Sequence, residues 1–401
     1  MLATKEITKK YNVTRQTINN WIKQGHLQRP KKDNKNNWLW TNEHEEELKQ
    51  IILKKNEKIA TIIQPENYLK IQNRRYLGSK QKMLNFIDKV VSENTENVNT
   101  VADIFGGTGV VANMFRDQGK SVYVNDILYS NYVSFETWFG NEEVDYEKIK
   151  KIIGELNALQ GIEGYVTENF GDKYFTVCNA KKIDAIREEI ENLVGINARE
   201  KAFVLTSLLY AMDKIANTVG HFDAYRKKMD SFSPLLLKVP EWHKNTDNHL
   251  FNKDANQLVR EITADLVYID TPYNSRGYES AYHVLENVAE WKKPAVEGVA
   301  MKAVNRSEKS SDYTKSKAPQ VFNDLIQHIN AKYILVSYNN MAKKGNSRSN
   351  AKISDNEIIE ILKTRGKVQI FETKFTAFTT GKSKTKDHKE LLYLCEVGAE
   401  S

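Results

Sequence analysis

Val101-Ala102-Asp103-Ile104-Phe105 runs directly into Gly106-Gly107-Thr108-Gly109, and Val110 to Phe115 follows with apolar residues spaced for a buried helix. A β-branched run, a glycine turn and an apolar helix in immediate succession commit this stretch to a strand–loop–helix unit of a parallel sheet. Ser121-Val122-Tyr123-Val124 supplies the next strand, which ends in Asn125-Asp126. Glycines at such a junction allow positive φ and close backbone approach, and the helix start beyond offers free N–H groups to an anionic part of a ligand. An acidic residue closing the second strand is placed to accept hydrogen bonds from ribose hydroxyls. The loop is not a full G-x-G-x-x-G fingerprint, so these residues alone also fit a tight turn that binds nothing.

A second buried strand, Leu266-Val267-Tyr268-Ile269, ends in Asp270-Thr271-Pro272-Tyr273. Ligands of parallel sheets bind beyond the carboxyl ends of the strands, so this tetrad should line a pocket. Pro272 fixes its own φ and has no N–H, which leaves neighbouring carbonyls turned outward as acceptors beside the Asp270 carboxylate. Tyr273 adds a stacking face. A carboxylate, a fixed carbonyl and an aromatic face together suit a flat base carrying an amino group, whose two hydrogens need two acceptors.

Phe105-Gly106-Gly107-Thr108-Gly109 resembles the F-x-G-x-G cofactor motif of S-adenosylmethionine-dependent DNA methyltransferases, and Asp270-Thr271-Pro272-Tyr273 resembles their D-P-P-Y catalytic motif. Arg74-Arg75-Tyr76-Leu77-Gly78-Ser79-Lys80-Gln81-Lys82 is similar to the segment that precedes the glycine loop in Dam-like, alpha-type adenine-N6 methyltransferases of restriction-modification systems. The order of the three is the alpha order. Asn125-Asp126-Ile127-Leu128, Asn179 to Arg187 and Tyr282-His283-Val284-Leu285-Glu286-Asn287 are similar to the type IIS branch. The resemblance covers residues 72 to 396 and departs from the family at Thr271, where the first proline of the tetrad is usual. It implies an α/β fold, a Rossmann-like S-adenosylmethionine-dependent methyltransferase sheet over 72–126 and 263–401. A mostly helical target-recognition insertion is expected over 127–262. It further implies catalysis by Asp270, Thr271, Pro272 and Tyr273 on adenine N6, with S-adenosyl-L-methionine held by Tyr76, Gly78, Lys80, Asp103, Phe105, Gly107, Thr108, Gly109 and Asp126. Double-stranded DNA is then the substrate and a cognate restriction endonuclease a partner.

Charge is unevenly distributed in the 401-residue chain. Residues 1–60 carry 13 Lys and Arg against 7 Asp and Glu, so +6 of the net +7 lies there. Glu6 to Tyr11 and Thr14 to Ile22 read as helix, turn, helix, with Thr14 as N-cap and Val13, Ile18, Trp21 and Ile22 on one buried side. Arg15, Gln16, Asn19 and Asn20 then face outward with the donors and acceptors that major-groove base edges require. The basic stretch before Trp38-Leu39-Trp40 suggests a wing, and Asn42 to Lys55 a closing helix. The unit resembles the helix-turn-helix of MerR-type regulators and phage proteins; a small helical protein-docking module has the same pattern.

Tyr146 to Leu159, Ala180 to Val194 and Ala198 to Asn217 read as helices, and Gly220 to Lys228 mixes aromatic and basic residues in a DNA-facing loop that includes Tyr225 and Arg226. Glu279 to Trp291 and Pro319 to Ile329 read as helices, Tyr333 to Tyr338 as a buried strand, and Lys367 to Phe371 with Glu390 to Cys395 as a terminal antiparallel pair. Two distant cysteines, Cys178 and Cys395, suggest reduced thiols, and no Cys/His cluster suggests a metal. With no apolar run of membrane-spanning length and no signal-like N-terminus, the expected location is the bacterial cytoplasm. Two other readings share these residues: a cytosine-N4 methyltransferase, although that class usually begins the tetrad with Ser, and a DNA-binding regulator with an inactive methyltransferase-like domain.

Overall fold

Ile18, Trp21 and Ile22 recur at helical spacing, and in the computed structural model they lie on helix α2 (Arg15–Lys23), beside α1 (Thr4–Lys10). The structure describes residues 4–11, 13, 15–33, 37–62, 67–272, 277–339, 352–374 and 389–399, and the chain divides into two units, Met1–Tyr68 and Leu69–Ser401. In the first unit a short antiparallel pair, β1 (Lys31–Lys32) and β2 (Trp38–Leu39), precedes α3 (Asn42–Ile62). Ile7, Ile18, Leu27, Trp40 and Leu48 form its core, with Val13, Trp21 and Ile22 packed against them. Trp40 donates its indole N–H to Thr4 at 3.1 Å, and Glu45 gathers Lys10 and Tyr11. Arg15 is exposed and Asn19 and Asn20 are half-buried; Thr14 lies outside the described residues, as does the side chain of Gln16.

The second unit is built on seven strands: β3 (Thr100–Asp103), β4 (Ser121–Asn125), β5 (His249–Phe251), β6 (Thr263–Ile269), β9 (Asn330–Asn339), β10 (Gly366–Lys374) and β11 (Lys389–Val397), in the order β10-β11-β9-β6-β3-β4-β5. A separate antiparallel pair of two-residue strands is formed by β7 (Val296–Glu297) and β8 (Lys302–Ala303). β5, β4, β3, β6 and β9 run parallel, whereas β11 is antiparallel to both β9 and β10. The terminal antiparallel pair expected from the sequence is therefore present. Alternation along β6 feeds two cores: Leu266 and Tyr268 join Phe115, Phe135, Trp138 and Tyr210, while Val267 and Ile269 join Phe322, Leu325, Ile326 and Ile358 on the other face. A strand buried on both sides reads as a continuous apolar run, which is why this one was legible.

Helices α4 (Leu84–Asn94) and α5 (Val110–Asp117) flank β3. The following interval holds α6 (Tyr129–Phe139), α7 (Tyr146–Ala158), α8 (Tyr165–Phe170), α9 (Val177–Asn192), α10 (Ala198–Ile215) and α11 (Ala255–Leu258). This interval, expected as a mostly helical insertion, is not separate from the sheet. It contributes edge strand β5, and α6 and α10 bury Phe135, Trp138 and Tyr210 in the sheet's own core. Beyond β6 come α12 (Tyr278–Ala281), α13 (His283–Glu290), α14 (Ala318–His328) and α15 (Asp355–Lys363). The single helix expected over Glu279 to Trp291 is broken at Tyr282, whose φ of −124° and ψ of 16° leave the helical region. Among the described residues no helix is long and apolar enough to cross a membrane.

Candidate active site

β3 and β6 are parallel neighbours whose chains leave in opposite directions across the sheet, β3 onward to β4 and β6 onward to β9. Their carboxyl ends therefore diverge and leave a crevice. A cavity of about 490 Å³ lies there, bounded by Asp103 to Thr108 from the β3 loop, Asp270 and Pro272 from the β6 end, and Tyr76 to Lys80 from the preceding segment.

The glycine loop is held by its own backbone. Gly106 N–H donates to the Asn125 carbonyl at 2.8 Å and Gly109 N–H to the Gly106 carbonyl at 2.7 Å. Gly107 has φ +54°, and a Cβ there would sit 3.0 Å from Tyr76. Asp126 completes the turn: one oxygen accepts from Gly107 N–H at 2.9 Å, the other from Leu128 N–H at 2.8 Å. Burial raises the Asp126 carboxyl to about 6 despite those bonds. Asp103 is 2 % exposed, and its Oδ1 has no hydrogen-bond partner among the described residues. Burial, with the nearby Asp270 charge, raises its carboxyl to about 8. A buried acid with an unmet oxygen, in a residue that borders a cavity, is suited to a donor or a cation.

At the other end Lys80 Nζ lies 2.9 Å from Asp270 Oδ1, with Lys80 only 5 % exposed. Burial raises the Asp270 carboxyl above the ordinary carboxylate value, and the Lys80 charge opposes that shift. Thr271 is buried, and Tyr273 lies outside the described residues.

Residues 76–349, more than half of the chain, match the model of the D12 class N6 adenine-specific DNA methyltransferase family. The chain belongs to this family. It is 37 % identical over 344 residues to the modification methylase StsI of Streptococcus sanguinis, 31 % over 342 residues to the type II methyltransferase M.FokI of Planomicrobium okeanokoites and 31 % over 330 residues to M.NlaIII of Neisseria lactamica. Those alignments take in 80 %, 80 % and 78 % of this chain. The chain spans about half the length of StsI and M.FokI, 51 % of each, and 95 % of M.NlaIII.

In this D12-class chain the expected cofactor residues Tyr76, Gly78, Lys80, Asp103, Phe105, Gly107, Thr108 and Asp126 all border the one cavity, together with Asp270 and Pro272. Gly109 does not border it. With φ +81°, it packs against the core, where a Cβ would come within 3.0 Å of Phe139 and 3.2 Å of Ile71. Arg226 is exposed and ion-paired with Asp230, while Tyr225 sets its ring 5.2 Å from that of Tyr174. That segment is fastened to a cavity wall through Phe222, whose N–H donates to the Ala281 carbonyl at 2.7 Å.

The contacts that build the wall have no signal in the sequence. The Tyr76 ring is stacked on Tyr282 at 4.6 Å and on Tyr278 at 5.4 Å, and the buried Arg74 guanidinium lies over Tyr76 and Tyr282 at 5.3 and 5.5 Å. Stacked rings under a cation form a rigid, desolvated wall. Tyr278 and Tyr282 further clamp Leu77: the Tyr278 hydroxyl donates to its carbonyl at 3.1 Å, and the Tyr282 hydroxyl accepts from its N–H at 2.7 Å. Glu308 to Tyr313 also lines the cavity, and Tyr313 meets Phe105 edge-on at 5.3 Å.

Proposed function

We propose that this chain transfers a methyl group from S-adenosyl-L-methionine to the exocyclic N6 of an adenine flipped out of double-stranded DNA, as the modification component of a restriction-modification system in the bacterial cytoplasm. The observation that carries the reading is that Asp270 and the glycine loop open onto one cavity. Groups suited to an acceptor amine and groups suited to a nucleoside-bearing donor line the same space.

The residues fit that donor. The free oxygen of Asp103 suits its ammonium, since a charge-assisted bond replaces an unmet acceptor. Gly107 leaves the loop backbone uncovered beside Tyr76, Thr108 and Phe105 add wall, and Asp126 retains lone pairs for ribose hydroxyls. Lys80, expected among the residues that hold the donor and suited to its carboxylate, also sets the charge of Asp270, because the two are ion-paired. Gly78 borders the same cavity. When bound, the donor supplies a methyl group on a positively charged sulfonium, so the acceptor needs alignment more than a strong base.

Alignment is the work of the β6 end. The amine lone pair of adenine is conjugated with the ring and nucleophilic only when drawn toward tetrahedral geometry. Asp270 accepts one amine hydrogen and the Thr271 carbonyl the other, with Pro272 fixing the turn between them. The Asp270 carboxylate also stabilises positive charge developing on nitrogen. Tyr273 stacks on the flipped base and offsets part of the extrusion cost, roughly a few kcal/mol. On the DNA, Arg15, Gln16, Asn19 and Asn20 of α2 read the major groove, and Tyr225 and Arg226 contact the duplex near the target.

The test is transfer of isotopically labelled methyl to duplex DNA by the purified chain, followed by mass spectrometry of the nucleosides. Label in N6-methyladenine supports the proposal. Label in N4-methylcytosine moves the assignment to the sibling chemistry, and DNA binding without any label points to a regulator.

A further inference from the structure

The segment Tyr282 to Asn287 has no part in the transfer step, yet its polar members are all tied to other elements. Tyr282 accepts from Leu77, the His283 ring lies 3.0 Å from the Phe222 carbonyl, and Asn287 donates to the Tyr165 hydroxyl at 3.3 Å. Glu286 is the most engaged. It is 5 % exposed, and its two oxygens accept from the first amides of α6, Tyr129 at 2.8 Å and Ser130 at 2.9 Å. α6 has no side-chain cap from Leu128, the residue before it. A carboxylate from α13 therefore satisfies the open amides and the positive end of the helix dipole.

The same carboxylate is ion-paired with Lys309, which also lies 3.0 Å from Glu290. Lys309 is a cavity wall residue. Its segment is pinned further along by Tyr313, whose hydroxyl donates to Asn256 Oδ1 at 2.7 Å. Asp126 stands just ahead of α6 on another part of the wall, and its own oxygen binds the Leu128 amide. One buried side chain thus touches both the helix that follows Asp126 and the cation of the segment Glu308 to Tyr313.

We propose that Glu286, acting with Lys309, is a cofactor-positioning residue that sets the separation between Asp126 and the wall segment and so the fit of the donor's nucleoside end. This rests on the reading of the cavity as the S-adenosylmethionine pocket. Lys309→Met removes the ion pair but leaves both Glu286 bonds to α6. Glu286→Gln places an amide N–H against a backbone N–H at the helix start.

The experiment uses the full chain in two stages. Calorimetric titration of the wild type with S-adenosylhomocysteine comes first, and absence of binding there overturns the reading of the cavity itself. Given binding, Lys309→Met should raise the cofactor KM about tenfold while kcat falls less than threefold and the KM for DNA stays unchanged. Lys309→Arg should restore the cofactor KM to within about threefold of wild type, and Glu286→Gln should show the same split, larger. A purely structural role would instead lower thermal stability with the cofactor KM unmoved. Cofactor KM within twofold of wild type in Lys309→Met, or Lys309→Arg as defective as Lys309→Met, overturns the proposal whether or not Glu286→Gln folds.

Discussion

Lys80 and Asp270 form an ion pair 2.9 Å long at the cavity, the lysine buried and the carboxylate side chain 17 % exposed. The pair joins the segment ahead of the glycine loop to the end of β6, so the charge state of the carboxylate proposed to bind the acceptor depends on a residue far away in sequence. Burial raises the Asp270 carboxyl and Lys80 opposes that rise. Lys80→Met should raise it further. If transfer needs the ionised form, as proposed, the acid limb of the kcat profile should move to higher pH. A pH–rate series on both proteins measures this; coincident acid limbs would show that Lys80 does not set the Asp270 charge.

Asp103 should couple cofactor binding to proton release. Its carboxyl is raised to about 8, so it is mostly neutral at pH 7, and the proposed pairing with the donor's ammonium requires the ionised form. Binding at pH 7 should therefore release protons, approaching about one per site. Calorimetry in buffers of different ionisation enthalpy counts them, and Asp103→Asn should remove most of the release. For the free chain the sign is fixed as well. A carboxyl whose folded value is raised favours the fold below its unfolded value, and that contribution is lost as pH rises through about 8. Asp103→Asn should flatten that loss in a series of melting curves.

The two positive-φ glycines of the loop should fail differently. Gly109→Val meets Phe139, Ile71 and Phe135 in the core, so it should lower thermal stability as well as cofactor uptake. Gly107→Ala meets Tyr76 at the cavity wall, so its main effect should be weaker cofactor affinity. Each also carries a backbone strain of about 1–3 kcal/mol. Melting temperatures and cofactor titrations separate the two, and equal loss of stability with unchanged affinity in Gly107→Ala would place that glycine outside the binding surface.

Local pattern accounts for what could be read in advance. The strand–glycine–helix unit at Val101 to Phe115, the buried run ending at Asp270 and the terminal strand pair are each specified by neighbours in sequence, through alternation, helical spacing and turn chemistry. The rest of the site is assembled over long range. Nothing near Tyr76 announces that Tyr282 stacks on it, nor does anything near Tyr129 announce that Glu286 caps its helix, because both contacts are fixed by packing. Strand β5 escaped for a related reason: three residues at a sheet edge carry too little pattern to stand out among helices. Gly109 shows the converse, since a glycine motif states that backbone freedom is needed without stating which neighbour requires it.

Removing residues 1–68 should weaken DNA binding and reduce its salt dependence while methyl transfer persists at high DNA concentration, because most of the net positive charge lies in that separate unit. Binding isotherms across a salt series read the slope directly. An unchanged slope would identify the unit as a protein-docking module.

The central claim, that Asp270 aligns an adenine amine for methyl transfer, is tested most directly by sequencing methylated bases in the DNA of cells carrying the wild-type chain, cells carrying Asp270→Asn and cells carrying neither. The account predicts N6-methyladenine at one short recurring sequence in the first and at none in the other two. Equal methylation with the Asp270→Asn chain, or a wild-type chain that marks only cytosine or nothing, would contradict it.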